Sequence, residues 1–401
     1  MGSFVSKSVL LFCIGDSGSV KLQFGSYLVL MLFSLVWSQS AVEALPGTGS
    51  LADRVDVRLF SMDNEAGGLR QVEILSPFKI VYPPTLSAHQ GRLFTLEDGL
   101  CLSHRKLGVS SVVVAPQAGS LLLKNGAKSR AVSGKVKISV SRERPGLTIV
   151  ASEPLRQYLA AAVGSEAPVG FPLEALKAQA VLVQSWLRAR RSGIIDDTTS
   201  EICFSGEQAI TPASKRAVDA VFGQFLTVGG KFLKPYFHST CAGGISDADE
   251  IFSGKVNFGK DKTIICRYCA QSPFYKELQK EIPVSELEDK LGYLPLRILA
   301  TDNCKRPLTV EVSYLNKAPV QTVSGYELWL AIGQSFGWGL VPGERYRFER
   351  EGDYYKFVSS GAGHGAGLCQ WGACGLAMRK ADYKEILHFY FPKAKVVGAL
   401  R

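Results

Sequence analysis

Histidine is scarce in this chain, 5 among 401 residues, and none belongs to an H-E-x-x-H pair. That excludes the common zinc-hydrolase pattern, in which one helix presents two imidazoles and a glutamate to a metal. No G-x-S-x-G turn occurs either, so the exposed serine of an α/β-hydrolase has no candidate and a serine–histidine–acid triad has little to draw on. The glycine-rich stretch near residue 365 has the wrong spacing for a dinucleotide fingerprint and lacks a βαβ context. Internal repeats and low-complexity tracts are absent. Beyond residue 37 there is no apolar run of the roughly 20 residues that a membrane-spanning helix takes.

With 46% hydrophobic and 20% charged residues, the chain suits a folded protein with a sizeable core. The net charge of +10 favours an acidic partner such as anionic lipid or a carboxylate-bearing polysaccharide. Basic residues are scattered, with their densest cluster at 188–191, which argues against specific nucleic-acid binding.

The apolar run "YLVLMLFSLVW" (27–37) follows Lys7 and Lys21 and precedes "SQSAVEALPG", where Val42 and Ala44 suit cleavage after Ala44. Residues 1–44 are therefore expected to be a signal peptide or an N-terminal membrane anchor, with 45–52 a linker and the remainder exported. Of the 9 cysteines, Cys13 falls in that leader. The others meet an oxidising compartment, where disulfides and metal ligation are both open.

From 53 to about 150 the chain alternates as strands do: "VDVRLFS", "FKIVYP", "SSVVVAP", "KVKISVS" and "LTIVAS", each bounded by turn residues. At "SEPLRQYLAAAV" the period becomes helical, with Ser152 as the expected cap. A second helix follows Pro172, with Leu173, Leu176, Ala180, Val183 and Leu187 on one face. Further helices are predicted at "KRAVDAVFG", "VSELEDKLG", "SGYELWLAIGQSFG" and "ADYKEILHFYFP", the last opened by an Asp382/Glu385 capping box. "LTVEVSYLN" and "RYRFEREGDYYKFVSSG" read as strands.

Three clusters can carry chemistry. Of the two acids in "AAAVGSEAPVGFPLEALKAQA" (160–180), Glu174 falls in the second helix and Glu166 lies on the expected connection between two helices. Apolar neighbours raise a carboxyl's pKa, as a general acid near neutrality requires; capping the next helix is the structural alternative. His238-x2-Cys241, then 24 residues, then Cys266-x2-Cys269 matches a four-ligand structural zinc site, with disulfide pairing as the alternative. "GAGHGAGLCQWGACGLAM" (361–378) has glycine at 361, 363, 365 and 367, which lets backbone approach something closely. Its His364, Gln370 and Trp371 could hold a sugar, or the stretch could be a turn packed for structural reasons.

These three motifs, in this order, resemble the stage II sporulation protein D family, which includes amidase enhancers. The resemblance runs from about 53 to 394 through "YLAAAVGSEAPVGFPLEALKAQAVLVQSW", "YFHSTCAGG" and "GAGHGAGLCQWGACGLAMRKADYKEILHFYFP". It implies a bacterial envelope protein, in the periplasm or on the outer face of the cytoplasmic membrane. It also implies lytic transglycosylase activity on peptidoglycan glycan strands stripped of peptides, with an N-acetylmuramoyl-L-alanine amidase as functional partner. Glu166 matches the family's catalytic acid/base, and zinc near the second motif fits some members. The rival is a glycan-binding protein that recruits or stimulates an amidase without cutting. Two departures stand out: Gln184 where the family commonly has a cleft arginine, and Cys369 where relatives often carry serine. The expected fold is α+β: a β-rich part (53–150) packed on a catalytic region (151–395) with the zinc site, and a substrate groove between.

Overall fold

The computed structural model describes residues 53–398, apart from 62–67, 87–91, 98, 142–145, 191–192, 199–200, 253–262 and 315–316. The expected leader and linker lie outside these. No helix among the described residues is long and apolar enough to cross a membrane.

The strand signals of the first hundred described residues hold. One six-stranded sheet has the order Ile195–Asp196, Arg54–Leu59, Leu147–Pro154, Lys135–Val140, Ser111–Pro116, Phe78–Tyr82. A second runs Arg105–Lys106, Leu100–Leu102, Leu93–Leu96, Gln71–Ile74, Leu121–Asn125, Lys128–Val132. Period-two burial is complete in Leu147–Pro154, where Leu147, Ile149, Ala151 and Glu153 are all buried. Side chains from both sheets and from the helices below join one core.

Strand Leu147–Pro154 runs straight into helix α1 (Leu155–Glu166), whose N-cap is Pro154 without a side-chain cap. Ser152 is thus not the expected cap. It sits inside the strand, opposite Asp56 and Lys135. Helix α2 (Leu173–Ala189) follows Pro172 and buries an almost continuous run from Ala175 to Trp186. Helix α3 (Pro212–Val221) is opened by a Thr211/Ser214 capping box. The turn Glu207–Ala209 just before α3 lies tight against α1 because position 164 is glycine: a Cβ there would meet Ala209 O at 2.0 Å.

A short helix α4 (Ala248–Ile251) precedes a second module. There α5 (Val284–Leu291) and α6 (Gly325–Phe336) share a separate core with two three-stranded antiparallel sheets. The chain leaves this module on the strand Tyr354–Ser360, and Gly361 N donates to Phe274 O at 2.8 Å. That bond returns the glycine-rich segment to the main body. Helices α7 (Gln370–Met378) and α8 (Tyr383–Tyr390) complete the fold, α8 with the expected Asp382/Glu385 box. Helix α7 was not legible in the sequence, since Gly372 and Gly375 lower its propensity. Those glycines let the helix lie against Tyr390 and the Tyr268 backbone, where a Cβ would collide at 2.1 and 2.0 Å. With 28% helix, 40% strand and the strands gathered toward the N-terminal side, the architecture is α+β.

Candidate functional site

Glu166 is the last residue of α1 rather than part of the loop that follows. Its position opposes two trends at once. A helix C-terminus disfavours negative charge, and the side chain is largely shielded from water. Burial is the main reason its pKa rises from 4.5 to about 7, partly offset by a hydrogen bond from the Cys203 backbone and by the nearby Gln370 amide. Cys203 N donates to Glu166 Oε1 at 2.7 Å. Among the described residues, no other carboxylate figures in what sets its proton affinity.

Segment 203–205 is zipped along the end of α1. Ser205 N donates to Ser165 Oγ at 2.9 Å, and Phe204 stacks on Tyr158 at 5.4 Å. The Tyr158 hydroxyl is wholly buried and has no hydrogen-bond partner among the described residues. Burial pushes its pKa up, and the Glu166 charge adds the next largest push. Sequence reasoning missed Cys203, Phe204 and Tyr158: no spacing signal links a cysteine 37 residues downstream to Glu166.

Gln370 approaches the same acid from α7, and Trp371 follows it in the helix. The Gln370 amide lies beside the Glu166 carboxyl, but Nε2 is buried without a proper hydrogen bond, so the contact is too long or too bent to count as one. Trp371 is half-buried, edge-on to Phe171 at 5.2 Å, just after the Glu166 turn. His364 lies further along the loop. Its Nδ1 accepts from Ala366 N at 3.1 Å, and burial lowers its pKa to about 4. It packs against Tyr236 and Phe252. The alternating glycines bring backbone close to the protein itself: a Cβ at Gly365 would meet Arg306 Nε at 2.3 Å, and one at Gly367 would meet Tyr236 O at 2.1 Å.

Gln184 does not belong to this site. It is fully buried in α2, donating to Ala180 O and Val221 O and accepting from Gly223 N at 2.7 Å. These bonds tie α2 to the turn after α3, and the position cannot reach a ligand.

The cysteine cluster differs from the expected set. Four buried sulfurs, from Cys241, Cys266, Cys269 and Cys369, lie within 4.8 Å of one another. His238 is not among them. The parallel pairing of Phe237–His238 with Leu368–Cys369 puts Cys369 beside the turn that carries Cys241. His238 Nδ1 faces Ala366 O at 2.9 Å and so carries the proton, while Nε2 has no hydrogen-bond partner among the described residues. Tetrahedral zinc with bonds of about 2.3 Å sets sulfurs about 3.8 Å apart, which this cluster matches; Cys241 and Cys269 are 3.5 Å apart. Backbone N–H groups of Cys241 and Gly372 both donate to Cys369 Sγ at 3.3 Å. Such donors stabilise thiolate charge. Cys266 and Cys269 push the Cys241 thiol up, while Cys241 and Cys266 pull the Cys269 thiol down. Sulfurs this close cannot all ionise without a cation among them.

Residues 143–228, which hold α1, Glu166, α2 and α3, match the model of the family described as Stage II sporulation protein, SpoIID. Over these residues the chain is similar to the SpoIID family, and curated relatives that carry the stage II sporulation protein D name match it more widely. It is 23% identical over 287 residues to the stage II sporulation protein D of Bacillus subtilis, across 65% of this chain and 80% of that protein. The stage II sporulation protein D of Bacillus amyloliquefaciens is 24% identical over 276 residues, 63% of this chain and 77% of that protein. An uncharacterised protein of Brachyspira hyodysenteriae is 25% identical over 251 residues, 61% of this chain. The match spans 66% of that relative's own length. The SpoIID match ends before the cysteine cluster and the glycine loop, so their roles rest on geometry.

Proposed function

We propose that this chain is a lytic transglycosylase that cuts peptidoglycan strands between N-acetylmuramic acid and N-acetylglucosamine, leaving 1,6-anhydro ends. The similarity to the SpoIID family, whose printed description is a stage II sporulation protein, supports a cell-wall-related role. The observation that carries the finer reading is a single desolvated acid, Glu166, whose pKa of about 7 keeps it substantially protonated at neutrality. A retaining glycosidase needs two carboxyl groups about 5 Å apart, and an inverting one two carboxyls and room for water. A lone acid suffices when the substrate supplies the nucleophile.

In this scheme the Glu166 carboxyl gives its proton to the glycosidic oxygen as the bond to the muramic C1 breaks. The resulting carboxylate takes the proton from the muramic 6-hydroxyl, whose oxygen closes onto C1. The glutamate ends protonated as it began, and no water is consumed. The 6-hydroxyl is already held by the sugar ring, so its attack is intramolecular. The Cys203 N–H fixes one carboxyl oxygen and supports the charged form between the two transfers. Trp371 and Phe171 offer apolar surface to a sugar ring beside the acid.

Zinc, when bound by Cys241, Cys266, Cys269 and Cys369, supplies a structural cross-link, since four thiolates leave no open position. Cys369 also caps α7, accepting from Gly372 N, so the cross-link anchors the helix that carries Gln370. Export past the cytoplasmic membrane and cooperation with an amidase that strips the stem peptides complete the proposal.

The test is to incubate the protein, and its Glu166→Gln variant, with peptide-free and intact strands and to look by mass for anhydro-ended fragments. Fragments from the parent alone support the mechanism. Equal yields from the variant refute it, and tight binding without fragments from either protein supports a recruiting role instead.

A further inference from the structure

Among the described tryptophans, Trp186 and Trp329 are buried and Trp371 is half-buried, whereas Trp338 is 42% exposed. It sits in a turn just after α6, where Leu340 N donates to Gly337 O at 3.5 Å. Both flanking residues, Gly337 and Gly339, are exposed, and a Cβ on either would meet nothing within 4 Å. The chain on each side of the indole is therefore open to solvent. The ring itself is built against the fold. A Cβ at Gly333 in α6 would lie 2.2 to 2.6 Å from Cζ3, Cε3 and Cη2, so the six-membered ring rests on the helix at a residue without a side chain.

Trp329 packs beside this ring at 4.7 Å between centroids and is fixed in turn, since its Nε1 donates to Val341 O at 2.9 Å. Lys290 of α5 steadies the end of α6, reaching Ser335 O at 3.5 Å and lying 4.5 Å from the Phe336 ring. The Trp338 indole is thus held in place from one side, and its N–H makes no hydrogen bond among the described residues. Protein and lipid docking surfaces need a contiguous apolar patch, yet from Gly325 to Arg345 no other apolar side chain is exposed. A single supported aromatic face beside a free donor suits a sugar. The C–H face of a pyranose packs on the ring, and a hydroxyl or acetamido oxygen accepts from the N–H.

We propose that Trp338 is an accessory carbohydrate-binding platform on the second module, stacking one N-acetylated sugar ring of a glycan strand. The choice of glycan rests on the transglycosylase reading above. The addition is a separate attachment point, outside the residues 143–228 that match the SpoIID model. A strand held there stays near the protein when it leaves the acid, which raises its local concentration for the next encounter.

The experiment uses full-length protein carrying Glu166→Gln, so that binding is read without turnover, with peptide-free glycan strands as probe and anionic phospholipid vesicles as the contrasting surface. Adding Trp338→Ala is expected to weaken strand binding by about tenfold, and Trp338→Tyr, which keeps an aromatic face, to recover most of the loss. Saturating strands should also protect Trp338 from oxidation by N-bromosuccinimide, read by peptide mass, which needs no substitution at this position. Unchanged strand affinity in Trp338→Ala, oxidation of Trp338 at an undiminished rate, or a loss confined to the vesicles overturns the proposal. Absence of anhydro ends from the parent protein refutes the reaction at Glu166 and leaves this binding comparison to stand or fall by itself.

Discussion

Replacing Glu166 by glutamine removes a charge from a site that disfavours it, so the variant should gain stability as the pH rises. The folded-state pKa of about 7 lies above the ordinary 4.5. Below the ordinary value both states hold the proton, and the carboxyl has no effect. Between the two values the unfolded chain releases its proton while the folded protein keeps it, so rising pH drains stability from the parent protein. Above about 7 the deficit is constant. At about 1.4 kcal/mol per pH unit, the full deficit is about 3 kcal/mol, of which roughly 2 to 3 kcal/mol develops between pH 5 and pH 9. Glutamine has nearly the same shape, and its carbonyl oxygen can still accept from Cys203 N. Chemical denaturation of parent and variant at pH 5 and pH 9 reads the difference directly: nearly equal stability at the lower pH, a more stable variant at the higher. A gap that stays constant across this range would show that the carboxyl is not desolvated, and the general-acid argument would fail with it. The same titration predicts that cleavage falls about tenfold per pH unit above pH 7, as the proton needed for the leaving oxygen is lost.

Metal analysis should find zinc retained in His238→Gln, whose imidazole lies outside the sulfur cluster. Cys369→Ser should lower zinc affinity by more than the roughly 10–100-fold typical of outer-sphere changes. Gln184→Ala leaves Gly223 N and Val221 O without their partner and should cost about 1–3 kcal/mol in denaturation, with glycan binding unchanged in a direct binding assay. Gly365→Ala forces a Cβ to 2.3 Å from Arg306 Nε at φ +74. Arg306 holds the carbonyls of Cys241 and Gly244. This variant should lose about 1–3 kcal/mol from overpacking and release zinc faster to a chelator.

Much of the fold was legible because the deciding signals are local. Alternation marked the strands of the first sheet, helical spacing of apolar residues marked α1 and α2, and Asp382 with Glu385 marked the start of α8. Glu166 could be singled out as a carboxyl in apolar company. Its place at the end of α1 was not legible, because the helix continues through Ser165, whose hydroxyl bonds back to Ala161 O at 2.8 Å. The Ser152 cap failed because pairing with two neighbouring strands outweighs a capping bond.

By itself the sequence determined which segments are strands and helices, that one isolated acid precedes α2, and that two close-spaced cysteine turns exist. Those properties depend on neighbours within a few residues. Tertiary structure alone decided that Cys369 rather than His238 joins the sulfur cluster, that Gln184 faces the interior, and that the Cys203 amide holds Glu166. Each unites residues tens to more than a hundred positions apart, so its geometry follows from how the elements pack. Spacing along the chain does not encode it.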